Sequence, residues 1–344
     1  MFRCLITFVL ALVPLLAAAQ APRLPSQLGI RPNELPVELG RKLFFDPILS
    51  QDGTISCSTC HDPKHGWADS NRLAVGIAGR VGTRNSPSII NKAYHPALFH
   101  DLRTRGLPTQ SLQPILNVLE MGNQTENQVL NKLRAVPAYE ALFKAAFGGT
   151  QIRNGRVTAV TRERYGAAME AFQQTIVSFD APVDRRMRGD IGALSPEAEI
   201  GYGLFMKHNC MACHQYPLFT DRFFHNNGME MAKNNPNDQG RFAISGTNRQ
   251  RDLRAFATAS LREVHRSPPY GHAGQFDTLR QVVQFYNLGG YKRAGNQFVR
   301  DRFIDQRIQP LGLNAYQVDC LTKFLAEGFA GSSYPDIPAP MLPR

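Results

Sequence analysis

Two copies of one pentapeptide, Cys57-Ser58-Thr59-Cys60-His61 and Cys210-Met211-Ala212-Cys213-His214, use four of the six cysteines in this chain. The C-x-x-C-H order constrains the fold tightly. Two thiols three residues apart on one tight helical turn reach the two vinyl groups of a porphyrin, and the next residue lies under the metal as its proximal ligand. Each motif predicts one covalent c-type haem, so the chain is expected to wrap two. A shared Cys₄ zinc site or a pair of disulfides would use the same thiols, but neither requires a His after each pair.

With 344 residues, the chain is long enough for two domains, each with its own core. A hydrophobic content of 43% and a charged content of 19% describe a globular protein rather than a disordered one. The N-terminus reads as a signal peptide over residues 1–19: Arg3 supplies the basic start, Leu5 to Leu16 the apolar run, and Ala17-Ala18-Ala19 the small-residue cleavage site before Gln20. An uncleaved anchor is the alternative, but the run is short for a span of about 20 residues. Cys4 leaves with the signal. Export to the periplasm agrees with covalent haem, which is normally attached outside the bacterial cytoplasm, and no membrane span is expected after cleavage. The formal net charge of +11 is spread over scattered Lys and Arg, with no recognisable module for reading nucleic acid. It reads as a solvated surface that favours an acidic partner.

A weak repeat precedes both motifs, Gly40-Arg41-Lys42-Leu43-Phe44 and Gly201-Tyr202-Gly203-Leu204-Phe205. Its position before each motif points to duplication of a haem-binding unit, with each Leu-Phe pair against a porphyrin edge. Apolar residues recur at helical spacing over Gln128 to Phe147 and over Tyr165 to Phe179, and further helices are expected at Leu279 to Tyr286 and Tyr316 to Glu327. Cys320 falls in the last of these as a small buried hydrophobe. Pro182, Gly189, Gly192 and Pro196 mark the crossing between halves, and the prolines after Ser332 argue against helix there. The predicted fold class is mainly α, with two cytochrome c-like haem domains and long loops. The expected divisions are 20–180 for the N-terminal haem domain, 181–331 for the C-terminal one, and 332–344 for a proline-rich tail.

Around the motifs run Leu43-Phe44-Phe45-Asp46-Pro47, Asp52-Gly53-Thr54-Ile55-Ser56-Cys57, Arg84-Asn85-Ser86-Pro87-Ser88 and Glu120-Met121-Gly122. Pro269-Tyr270-x-His272-x-Gly274 and Leu279-x-x-Val282-Val283-x-Phe285-Tyr286 follow in the second half. From about Val37 to Phe329 this pattern resembles the bacterial di-haem cytochrome c peroxidase and MauG family. The resemblance implies that the N-terminal haem reacts with hydrogen peroxide while the C-terminal haem stores or relays electrons. It places Glu120 and Gln110 at the family's distal glutamate and glutamine. A carboxylate can take a proton from peroxide and return it to the leaving oxygen, and an amide can orient the bound molecule. It also implies a Ca²⁺ bound by the Asn85 side chain and the Ser267 and Pro269 carbonyls.

Three positions depart from typical peroxidases of that family. The loop that usually carries a removable distal His reads Val75-Gly76-Ile77-Ala78-Gly79, so the first iron is expected to be open without reductive activation. His65 and His95 lie nearby and read as surface or structural residues. Fourteen residues after His272, where peroxidases have Met and MauG-like proteins Tyr, stands Tyr286, which predicts phenolate ligation of the second haem, with Met229 and Met231 as runners-up. Between the haems, the usual Trp is replaced by His100, a residue that can mediate electron transfer but is harder to oxidise. The single Trp, Trp67, is expected against the first haem. Three readings follow: a peroxidase fed by a small electron-donor protein (cytochrome c or cupredoxin), a MauG-like oxidase acting on aromatic residues of a protein substrate, or a di-haem electron carrier without peroxide turnover.

Overall fold

The structure, a computed structural model, describes residues 31, 33–153, 156–229, 238–245, 249–290, 292–294, 297–299 and 302–343. The expected signal segment, Cys4 and Met231 lie outside these residues. Helices carry the fold. Sheet among the described residues is limited to three antiparallel ribbons: Gln151–Arg153 with Arg156–Thr158, Phe224–His225 with Phe256–Ala257, and Lys292–Ala294 with Gln297–Val299. The mainly α class holds.

Buried apolar residues form two cores, one drawn from Val37 to Ile176 and the other from Ala181 to Phe329. The most extensive helix packing in each is one crossing, Leu35–Phe45 against Arg162–Gln173 and Pro196–Lys207 against Ala315–Glu327. The crossing point in both is the glycine of the repeat. A Cβ on Gly40 would stand 2.0 Å from the Ala168 carbonyl oxygen and 2.8 Å from the Phe172 Cβ; on Gly201 it would stand 2.2 Å from the Cys320 oxygen and 2.6 Å from the Phe324 Cβ. Only glycine lets the backbones approach so closely. Four residues on, Phe44 meets Phe172 with ring centroids 5.3 Å apart, and Phe205 meets Phe324 at 5.4 Å. Leu43 is fully buried and Leu204 nearly so, but neither lines a haem cavity, whereas Phe44 and Phe205 do. The expected Leu-Phe contact with a porphyrin edge therefore falls to the Phe alone.

The long helices begin where side chains satisfy their first amides: Thr161 caps Arg162–Gln173, Ser195 caps Pro196–Lys207, and Asn314 with Gln317 forms a capping box for Ala315–Glu327. The apolar periodicity over 128–147 belongs to two helices, Glu126–Arg134 and Pro137–Phe147, because Pro137 has no amide hydrogen to continue the first and is well suited to start the second. The stripe that begins at Tyr165 is helical only to Gln173; Ile176 and Phe179 remain buried in irregular chain.

The proline-rich tail returns to the first half. Trp67 Nε1 donates to the Pro335 carbonyl at 2.9 Å, Arg41 Nη2 to that of Pro338 at 2.8 Å, and Lys42 Nζ to that of Met341 at 2.7 Å. Tyr334 and Ile337 pack on the first core. No helix among the described residues is long and apolar enough to cross a membrane.

Candidate active site

Each cysteine pair opens onto its own cavity. Cys57, Cys60 and His61 line the first with Phe44, Gln110, Glu120 and Met121, while Cys210, Cys213 and His214 line the second with His100, Met229 and Tyr286. The separation rules out one zinc ion shared by all four thiols, and no described cysteine is in a disulfide. The first pair sits on the short helix Cys57–Cys60, capped reciprocally by Ser56 and Thr59; the second sits on a 3₁₀ turn entered through Asn209 at φ 56°. Both histidines are oriented alike. His61 Nδ1 lies 3.3 Å from the Trp67 carbonyl oxygen and His214 Nδ1 lies 3.1 Å from that of Phe219. With Nδ1 donating to a carbonyl, Nε2 is left for a metal, the arrangement common to metal-binding histidines. Burial lowers both pKa values, that of His61 to about 4, so each imidazole is neutral and competent to ligate. Paired thiols, a neutral imidazole and an apolar cavity fit a covalent haem at each site. Trp67 differs from expectation. Its ring is fully buried among Phe44, Phe45 and Phe172 and does not line the cavity, so its link to this site is its carbonyl.

Glu120 reaches the first cavity on a turn that only its neighbours permit. Gly122 has φ 73°, and a Cβ there would stand 2.1 Å from the Ile77 Cδ1. Asn117 then organises the turn. Its backbone carbonyl accepts from the Glu120 and Gly122 amides, and its Nδ2 donates to Glu120 Oε1 at 2.6 Å. Oε2 has no hydrogen-bond partner among the described residues. Burial raises the carboxyl pKa, against the lowering effects of the Asn117 bond and the charge of Arg103. Gln110 lies across the same cavity at the end of the helix Leu107–Gln110, with its side-chain amide unpartnered among the described residues. A proton-exchanging carboxyl and a free amide thus face one space beside a metal-competent His.

The loop over 75–79 closes on this turn. The Ile77 amide donates to the Glu120 carbonyl at 2.8 Å, Ile77 is buried, and Val75 and Gly76 line the cavity. No side chain of this loop can bind iron. His65 bonds the Pro268 carbonyl, and His95 is buried with its pKa lowered to about 2; neither lines the first cavity.

In the second cavity the Tyr286 hydroxyl accepts from Asn227 Nδ2 at 2.9 Å, and burial pushes the phenol pKa up to about 12. Met229 is buried and lines the same space, so two potential ligands share a cavity with His214. His100 Nε2 donates to the Asn85 carbonyl at 2.9 Å, and burial drops its pKa to about 3, which keeps the ring neutral. The segment that holds it is the wall between the cavities. Ser86 and Ile89 line the first, while Asn85, Pro87, Ser88 and Ile90 line the second.

Asn85, Ser267 and Pro269 all border the second cavity. Asn85 Nδ2 donates to the Asp69 and Asn71 carbonyls at 3.3 and 2.7 Å, which leaves Oδ1 as an acceptor, and Asp69 Oδ2 is buried without a partner. The Asn85 amide oxygen and the Ser267 and Pro269 carbonyls are hard oxygen donors of the kind Ca²⁺ takes. Sequence reading missed Asn117 and Asn227, the side chains that hold Glu120 and Tyr286. The only signal for Asn117 is its place three residues before Glu120, and Asn227 carries none.

Residues 34–192 match the family model described as di-haem cytochrome c peroxidase. A methylamine utilization protein MauG from Methylorubrum extorquens is 39% identical over 263 residues, covering 76% of this chain and 71% of that protein. Cytochrome c551 peroxidase from Pseudomonas aeruginosa is 34% identical over 268 residues, covering 77% and 74%. Among solved structures, a MauG-like protein associated with microbial copper homeostasis superposes with a TM-score of 0.77 at 27% identity, covering 95% of this chain and 99% of that one.

Proposed function

The chain belongs to the di-haem cytochrome c peroxidase family of oxidoreductases, and from that premise we propose that it reduces hydrogen peroxide to water in the first cavity, using electrons relayed through the second. The observation that carries this reading is the convergence of Glu120, Gln110 and His61 on one cavity. A haem bound through Cys57, Cys60 and His61 supplies the metal centre and the redox chemistry for O–O cleavage. The chain moves the proton. Glu120, steadied through Oε1 by Asn117, takes a proton from one peroxide oxygen at Oε2 and returns it to the other, which leaves as water. Two electrons relayed from the second cavity, with two protons from solvent, turn the remaining oxygen into a second water. Gln110 orients the substrate by its amide, and Val75 and Gly76 border the cavity without offering a ligand that would block it. His100 and the segment over 85–90 stand where electrons cross between cavities.

A second reading is a MauG-like oxidase of a partner protein's aromatic residues. It is favoured by Ile77 where a displaceable ligand would stand and by Tyr286 facing His214. A passive carrier would leave the Glu120 and Gln110 pair without a purpose. Both active readings take two covalent c-type haems, Tyr286 as the second iron's further ligand, Ca²⁺ at Asn85, Ser267 and Pro269, and a cleaved signal that delivers the protein to the periplasm. The net charge of +11 suits an acidic electron donor or protein substrate. Stopped-flow mixing of the as-isolated ferric protein with hydrogen peroxide tests the reading. A rapid spectral change without prior reduction is expected, and a protein that stays inert even when reduced would overturn it.

A further inference from the structure

Three side chains of Lys or Arg line the second cavity: Lys92, Arg262 and Arg307. Two of them are matched by carboxylates. Arg262 makes a bidentate pair with Asp184, both bonds at 2.8 Å, and Arg307 Nη2 lies 2.6 Å from Asp305 Oδ2. Lys92 has no side-chain hydrogen bond or ion pair among the described residues, although it sits in a short 3₁₀ turn, Lys92–Tyr94, just after the wall between the cavities. Its surroundings make this costly. The charge of Lys92 acts on three buried imidazoles, His61, His95 and His100, and loss of water draws its own pKa down to about 8. An ammonium held in such a place without a counter-ion is strongly unfavourable.

The group this cavity is built to hold carries the missing charge. A c-type haem is attached through its vinyl groups, so its two propionates remain free carboxylates. We propose that Lys92 is the counter-ion of a propionate of the haem held at Cys210, Cys213 and His214. This assignment rests on the two-haem reading above. It makes Lys92 a positioning residue, one that fixes the haem edge nearest the wall and sets the local charge against which the second iron is reduced.

The test is a redox titration of Lys92→Met and Lys92→Arg in the holoprotein, after mass spectrometry confirms two haems per chain. Met keeps the length of the side chain and removes its charge. Loss of a cation beside the haem disfavours the added electron, so the ferrous-to-ferric ratio of the His214 haem at fixed potential should fall about tenfold, equivalent to about 59 mV for one electron. Lys92→Arg should restore most of the parental potential, and the propionate band in resonance Raman should move in Met and not in Arg. An unchanged His214-haem potential in Lys92→Met overturns the proposal, as does a shift confined to the His61 haem. These readings need no peroxide, so they fail separately from the catalytic proposal, and a parent protein lacking the second haem would instead overturn the two-haem reading.

Discussion

The two halves of this molecule share one floor and differ in their ceilings. On the proximal side the correspondence is close: Gly40 and Gly201 sit at equivalent helix crossings, Phe44 and Phe205 meet equivalent rings, and His61 and His214 each give Nδ1 to a backbone carbonyl. On the distal side nothing matches. Glu120 and Gln110 put an acid and an amide in the first cavity, whereas Tyr286 and Met229 offer the second donors for iron. The difference teaches where such a duplicated unit is free to change. Attachment and helix crossing depend on backbone contact, which tolerates little substitution. The distal groups come from separate short elements, the turn at Glu120 and the helices Leu107–Gln110 and Leu279–Asn287, whose cavity-lining side chains can change without disturbing the crossings.

The largest expected effect falls on the first ceiling. Glu120→Gln should slow the reaction of the ferric protein with peroxide by about 10²–10⁴-fold, with haem content and ground-state spectra intact. Tyr286→Phe should leave that first bimolecular step within a few-fold of the parent. Equal losses in both variants would break the division of labour between the cavities. The parental rate should also depend on pH with a defined sign. Burial raises the Glu120 pKa, and the base is the carboxylate, so the rate rises with pH through a midpoint above that of an ordinary glutamate and this limb disappears in Glu120→Gln. A flat parental profile across the acidic range would count against Glu120 as the base.

The shared floor predicts equal penalties. Gly40→Val and Gly201→Val should each lower unfolding free energy by about 1–3 kcal/mol through overpacking at the crossing, measured by denaturant titration of each half's haem absorbance. A penalty at one glycine alone would show that the two crossings are not equivalent.

Smaller again is the energetic effect of Tyr286→Phe, about 1 kcal/mol for the lost Asn227 bond. Its spectroscopic signature is clear: if Tyr286 ligates iron, the low-spin signal in electron paramagnetic resonance should change. An unchanged signal would hand the ligand role to Met229 or Met231.

Much of the floor was legible from sequence because it is local. The C-x-x-C-H spacing and the Gly-x-x-Leu-Phe repeat are each complete within five residues, and Glu-Met-Gly marks its own turn. What escaped depends on contacts distant in sequence. Trp67 reads as a haem neighbour by proximity to His61, yet its indole is claimed by Pro335 across the molecule. Pro137 divides one apolar stripe into two helices, and only the tertiary arrangement shows that both halves of the stripe bury the same way. Lys92 carries no motif, and its significance emerges only when the partners of Arg262 and Arg307 are known.

The return of the tail to the first half has a consequence for biogenesis. Ribosomes deliver a chain from its N-terminus, and early domains ordinarily fold before later ones are made. Here the first core acquires Tyr334 and Ile337, and the Trp67 indole its acceptor, only after the whole second core has been made. The half that is synthesised first is therefore completed last. A chain that stopped before Tyr334 would leave the first core without this cover and the Trp67 indole without its acceptor.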